Sequence, residues 1–192
     1  MSLFAQSNKN KENVSDRMRK GKLTIFEMTL FAMFSAMMFI SKIVMEFLPN
    51  IHLIGMFVVL LTVVYRKKAL IPIYIFVLLS GIYGGFAMWW IPYLYVWIVP
   101  WAVVMLLPKN MKKTTQMVVY PIVCALHGLL FGVLYAPAQM IMFSFDFKQI
   151  VAWVIAGLPF DIVHGISNLF AGLLIYPLSV LLKKLNNRAD NI

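Results

Sequence analysis

The chain has 192 residues, 62% of them hydrophobic and only 12% charged, with a mean hydropathy of +0.85. A soluble domain carries about 25% charged residues, so this composition excludes a water-soluble globule and predicts an all-α integral membrane protein. The net charge of +10 would suit a nucleic-acid binder, but the basic residues fall where membrane topology needs them and no nucleic-acid partner is expected.

Residues 1–23 are polar and basic, with Lys9, Lys11, Arg17, Arg19, Lys20 and Lys22. No secretory signal is read there, because no apolar stretch precedes the first long hydrophobic run. This segment reads as a cytoplasmic N-terminal tail. Residues 24–184 then form a six-helix membrane domain, with apolar runs at 24–47, 51–65, 69–87, 90–107, 115–140 and 150–182. Residues 185–192 make a short cytoplasmic tail. A membrane-spanning helix needs about 20 residues, so the second run is short and the sixth is too long for one straight crossing. Pro159 should break the sixth, leaving 149–157 as an interfacial segment and 158–182 as the span.

Basic clusters separate these runs. Arg66, Lys67 and Lys68 follow the second, Lys109, Lys112 and Lys113 follow the fourth, and Lys183, Lys184 and Arg188 follow the sixth. With the N-terminal tail, fifteen of the 17 basic residues lie on one side of a six-span chain, and only Lys42 and Lys148 on the other. The positive-inside rule then makes both termini cytoplasmic. The single Cys124 excludes an internal disulfide.

Polar residues inside the apolar runs are candidates for function, because they are expensive in a membrane. In KIVMEFLPNIHLIG, Lys42 and Glu46 have the spacing of a helical pair, Pro49 and Asn50 predict a turn, and His52 opens the second run. Trp89, Trp90, Tyr93, Tyr95 and Trp97 crowd the outer end of the fourth run, where they could form an interfacial belt or a stacking wall for a planar ligand. Pro92 and Pro100 make that run irregular, which membranes tolerate where backbone is buried or lines a cavity. The fifth run contains CALHGLLFGVLYAPAQ. Its Gly128 and Gly132 suit helix packing, His127 reads as a packing histidine or a ligand, and Tyr135 and Gln139 lie further out.

The sixth run contains GLPFDIVHGISN. Asp161, His164 and Asn168 are spaced i, i+3, i+7 and share one helical face, flanked by Ile162, Val163, Ile166, Leu169 and Phe170. Counting from Lys183, Asn168 lies roughly 22 Å and Asp161 roughly 33 Å from the cytoplasmic edge. This face is read as the wall of an outward pocket completed by Trp90, Tyr93, Tyr135 and Gln139. The competing reading of Asp161 is a cap on its own helix, started by Pro159. A pocket of Trp, Tyr, His, Asn and one Asp suits a neutral or weakly cationic heteroaromatic, since it has no Arg or Lys cluster for a polyanion.

No P-loop, HExxH, GxSxG or CxxC motif occurs, so no ATPase or other enzyme is read from the chain. It is also small for the paired-repeat transporters. The size, the six runs, the basic tail before the first and the FAMFSAMMF stretch with Ala32 and Ala36 together resemble the substrate-binding S component of energy-coupling factor (ECF) transporters. The resemblance covers about residues 22–185, and Ala32 and Ala36 match the family's A-x-x-x-A on helix 1. LPNIHLIG, WWIPYLY, YAPAQ and LPFDIVHGISN look like a branch whose substrate is not characterised.

The resemblance implies a multi-pass protein of a bacterial plasma membrane that captures a vitamin or vitamin precursor from outside. It implies as partners a transmembrane coupling subunit, contacted through Ala32 and Ala36, and two cytoplasmic ATPases. ATP would be used by those partners, with no cofactor in this chain. The alternatives are an intramembrane enzyme or a proton-coupled carrier using Asp161, His164 and His127 as metal ligands or acid–base groups.

Overall fold

The structure, a computed structural model, describes residues 23–48 and 51–189. The basic residues of the N-terminal tail and the turn at Pro49 and Asn50 lie outside the described residues. The described chain is all-helical, with nine α-helices: α1 (Ile25–Val44), α2 (Ile54–Tyr65), α3 (Leu70–Gly84), α4 (Tyr93–Val96), α5 (Ile98–Leu106), α6 (Lys113–Leu129), α7 (Phe131–Phe143), α8 (Phe147–Gly172) and α9 (Ile175–Ala189). Short 3₁₀ turns at Arg66–Ala69 and Met88–Trp90 join some of them. Four stretches are long and apolar enough to cross a membrane: Ile25–Val44, Met88–Leu106, Lys113–Phe143 and Phe147–Gly172.

The short second run becomes the centre of the bundle. Residues 54–62 of α2 are all buried, and the helix packs against α1, α5, α6, α8 and α9. A helix that is apolar on every side has no water face to offer and at 12 residues is too short to span the membrane alone, and the fold surrounds it. Polar side chains then tie the surrounding helices together. Ser35 on α1 donates to the Pro72 carbonyl on α3 (3.1 Å), and Tyr65 donates to Asn186 on α9 (3.0 Å). Thr24 and Glu27 form a capping box at the start of α1, and Glu27 also receives the Lys68 ammonium at 2.7 Å.

Two helix boundaries differ from the sequence reading. Pro159 does not divide the last run. A continuous α8 starts earlier, at a capping box between Asp146 and Gln149, and passes through Pro159 to Gly172. The break comes at Leu173 and Leu174 instead. Pro177 explains it: Pro lacks the N–H that would bond the Leu173 carbonyl, and it fits the first turn of α9, where N–H groups have no helical partner. The fifth run is also interrupted, at Leu130. In an unbroken helix the Gly132 N–H would bond the Gly128 carbonyl. Here Asp161 of α8 takes it, at 3.2 and 3.1 Å from its two carboxylate oxygens. A side chain inserted into the ladder is a recognised cause of a kink.

The helix pair α6–α8 packs most extensively, and glycine makes the close approach. A Cβ on Gly128 would lie 2.8 Å from the backbone of His164 and Gly165. At one end of the bundle Arg66, Lys109 and Lys183, one from each of three basic clusters, line a single cavity. A second cavity is lined by Lys42, Glu46, His52 and Tyr93.

Candidate functional site

The polar face of α8 points inward. Asp161, His164 and Asn168 are buried, while Ile162, Val163, Ile166, Leu169 and Phe170 are exposed on the outside of the bundle. The spacing read from the sequence therefore describes the packed face.

His164 sits at the middle of this face, and both other histidines of the chain come to it. The His52 ring centre is 4.4 Å away and that of His127 is 6.4 Å away. Phe131 meets His164 edge-on at 4.9 Å. Trp97 closes the group, with ring centres 5.4 Å from His127 and 6.3 Å from His52. Asn168 lies one helical turn along α8 from His164, and its amide packs on Gly55 of α2. A Cβ there would sit 3.2 Å from Asn168 Nδ2.

These groups are left without partners. Among the described residues, the orphaned buried side-chain atoms comprise His52 Nδ1, Trp97 Nε1, His127 Nδ1, both nitrogens of His164, both amide atoms of Asn168, and Arg66 Nε at the far end of the bundle. An orphaned buried polar atom costs about 1–3 kcal/mol, and buried polar groups in native proteins are ordinarily satisfied. All but the last of these atoms belong to one cluster. His127 has a partner on its other side only: its Nε2–H donates to the Val96 carbonyl at 3.2 Å. A carbonyl oxygen can only accept, so this bond leaves Nδ1 facing the cluster with a lone pair. Trp97 offers an N–H, and the Asn168 amide offers both a donor and an acceptor.

Asp161 has a different role from its neighbours. Its carboxylate caps a helix, but the helix is α7, through the Gly132 N–H, and not its own. A negative charge at a helix N-terminus is favourable. A Cβ on Gly132 would lie 2.5 Å from Asp161 Oδ2, so the glycine is what admits the carboxylate. Asn retains an accepting oxygen, and Asp161→Asn is expected to leave the thermal midpoint nearly unchanged. Asp161→Leu strands the Gly132 N–H and should lower stability by about 1–3 kcal/mol, read as a fall in unfolding temperature in detergent. Equal effects of the two substitutions would show that the cap contributes nothing.

No known family, characterised protein or solved structure matches the chain.

The remaining residues singled out in the sequence lie around the cluster at different distances. Tyr93 touches it through Trp97, edge-on at 5.5 Å, and also meets Tyr135 at 6.4 Å. Tyr135 lies over Phe131 at 5.0 Å and donates its hydroxyl to the Trp89 carbonyl at 3.2 Å. Gln139 is half-buried one turn beyond Tyr135. Trp90 is turned to α3: its N–H donates to the Val77 carbonyl at 2.8 Å and its ring meets Phe86. The tryptophan that reaches the histidines is Trp97.

Trp97 belongs to the aromatic group that the sequence offers as a belt or a stacking wall and His52 opens the second run, but neither is among the pocket residues that the sequence predicts, and Phe131 carries no signal there. The available signal was that a chain with only three histidines places each within an apolar setting. Lys42 places its ammonium 5.4 Å from the centre of the Trp89 ring. The cavity lined by Lys42, Glu46, His52 and Tyr93, about 150 Å³ in volume, adjoins the cluster through its shared members His52 and Tyr93. Among the described residues, no group of three or more His, Cys, Asp or Glu side chains is arranged to hold a metal ion.

Proposed function

We propose that this chain is the membrane-embedded substrate-binding subunit of an ECF-type importer. It takes a vitamin or vitamin precursor from outside and delivers it through a transmembrane coupling subunit driven by two cytoplasmic ATPases. The observation that carries the reading is the concentration of orphaned hydrogen-bonding atoms around His164 and Asn168, walled by aromatic rings and adjoining a cavity. Such atoms are costly in an empty core and useful to a ligand that pairs with them. The orphaned atoms around His164 include no lysine or arginine, the Asp161 carboxylate is engaged with Gly132, and Lys42 and Glu46 line only the adjoining cavity. It suits a neutral, planar heterocycle held by edge hydrogen bonds and ring contacts.

The proposed topology has six spans, with both termini cytoplasmic in a bacterial plasma membrane. The convergence of Arg66, Lys109 and Lys183 on one cavity supports it, because the positive-inside rule would put that end in the cytoplasm. His52, Tyr93 and the cavity beside them then face outward.

The proposed contact with the coupling subunit uses α1. Its inner face buries Phe31, Phe34, Ser35 and Met38, while Ala32, Met33, Ala36 and Met37 lie exposed on the outer face. Small residues one turn apart let a second helix approach closely. Affinity purification from the native membrane should recover a coupling protein and two ATPases. Replacing Ala32 and Ala36 together by Leu should remove them while leaving ligand bound to the isolated subunit. Recovery of the chain without any ATPase, or loss of ligand with intact assembly, contradicts the reading.

A further inference from the structure

Among the described residues, the one orphaned buried side-chain atom outside the histidine cluster is Arg66 Nε, at the opposite end of the bundle. A cavity of about 220 Å³ is lined by Arg66, Lys109 and Lys183, with Tyr120 and the apolar side chains of Val63 and Val104. Among the described residues, no carboxylate lines it. Arg66 reaches it from an unusual backbone: φ is 53° and ψ is −120°, a region that non-glycine residues seldom adopt. Three contacts hold it there. Its two terminal nitrogens donate to the Val104 and Met105 carbonyls at 3.1 and 2.7 Å, capping the end of α5, and Trp101 Nε1 donates to the Arg66 carbonyl at 3.2 Å. The guanidinium is fixed by these bonds, yet its Nε–H is buried and orphaned.

Topology explains why basic residues occur at this end, since they could lie anywhere along the interface. It does not explain three cations from distant segments around one cavity, one of them a half-buried arginine with an unused donor. Cations gathered with no described carboxylate among them are matched by an anion, and a fixed N–H beside two exposed ammonium groups suits the oxygens of a phosphate. The apolar wall formed by Val63, Val64, Val104 and Leu107 suits the glycerol and upper acyl region of a lipid.

We infer that this cavity binds a phosphate group, that of an anionic glycerophospholipid headgroup such as phosphatidylglycerol, between α2, α5 and α9. The inference is independent of the ligand site around His164 and of any transport role. Two probes separate the sources of the phosphate: phosphatidylglycerol added to the detergent-solubilised protein, and inorganic phosphate at matched ionic strength. Phosphatidylglycerol should raise the unfolding temperature and appear as a bound adduct in the native mass spectrum, and phosphatidylcholine should do neither. Lys109→Gln with Lys183→Gln changes two exposed side chains and leaves the Arg66 cap in place. It should weaken the phosphatidylglycerol effect by about 30-fold in midpoint concentration, since each of the two basic groups near an anionic surface is worth about fivefold. Stabilisation by inorganic phosphate that the double variant loses would retain the phosphate site and replace the lipid by a free anion. A phosphatidylglycerol effect unchanged in the double variant, equal stabilisation by phosphatidylcholine, or no response to either phosphate source would overturn the inference.

Discussion

Asn168→Leu is expected to make the empty protein more stable and a poorer binder at once. The Asn168 side chain is fully buried and neither of its amide atoms has a partner. Leucine has the same branching at Cγ and the same number of side-chain heavy atoms and carries no polar atom, so the substitution removes two orphaned groups from the core. The unfolding temperature of the ligand-free protein should rise, by the equivalent of about 1–3 kcal/mol. The same change removes a donor and an acceptor from the ligand. Binding should weaken by about 5- to 150-fold, using 1.4 kcal/mol per factor of ten. The compound to titrate is the small molecule found by mass spectrometry in wild-type protein purified from its own membrane. His164→Phe, which keeps a ring of similar shape and removes both orphaned nitrogens, should show the same pair of opposite changes. A packing role gives a different pattern: lower stability with unaltered binding. Wild-type affinity in both variants would remove this face of α8 from the site.

Gly128→Ala should be among the most damaging small substitutions in the chain. Its new methyl would lie 2.8 Å from the Gly165 nitrogen and from the carbonyl carbon and oxygen of His164. All three are backbone atoms of α8, so no side-chain rotation relieves the contact. Overpacking of this kind costs about 1–3 kcal/mol. The helices must separate, and the residue displaced first is His164, so ligand binding should fall together with the unfolding temperature. Gly157→Ala provides the contrast within the chain. A Cβ there meets nothing within 4 Å, and Ala is favoured over Gly in a helix by about 0.5–1 kcal/mol. The unfolding temperature should rise slightly with binding unchanged. If the two glycines respond alike, the close crossing of α6 on α8 is not what positions His164.

The opposite expectations for these two glycines mark where sequence reading stops. Both stand in apolar helical runs, and nothing local distinguishes them. Gly128 is constrained because another backbone crosses it, and that crossing brings together residues 37 positions apart.

What the sequence determined by itself was the all-helical, apolar character of the chain and the face shared by the polar residues of α8. Apolar runs of helical length marked the chain as all-helical, because a chain without water must satisfy its own backbone. The i, i+3, i+7 spacing put Asp161, His164 and Asn168 on one face, because an α-helix turns once every 3.6 residues. Both follow from local geometry, and both hold in the structure. Only the tertiary structure decided which groups meet that face. His52 from the start of α2, Trp97 from the turn between α4 and α5, and His127 and Phe131 from either side of the Leu130 break join His164 through packing between distant segments. The partner of Asp161 was likewise decided there. Periodicity left open whether it capped its own helix, and the cap went to Gly132 because only a glycine leaves room for the carboxylate against that backbone.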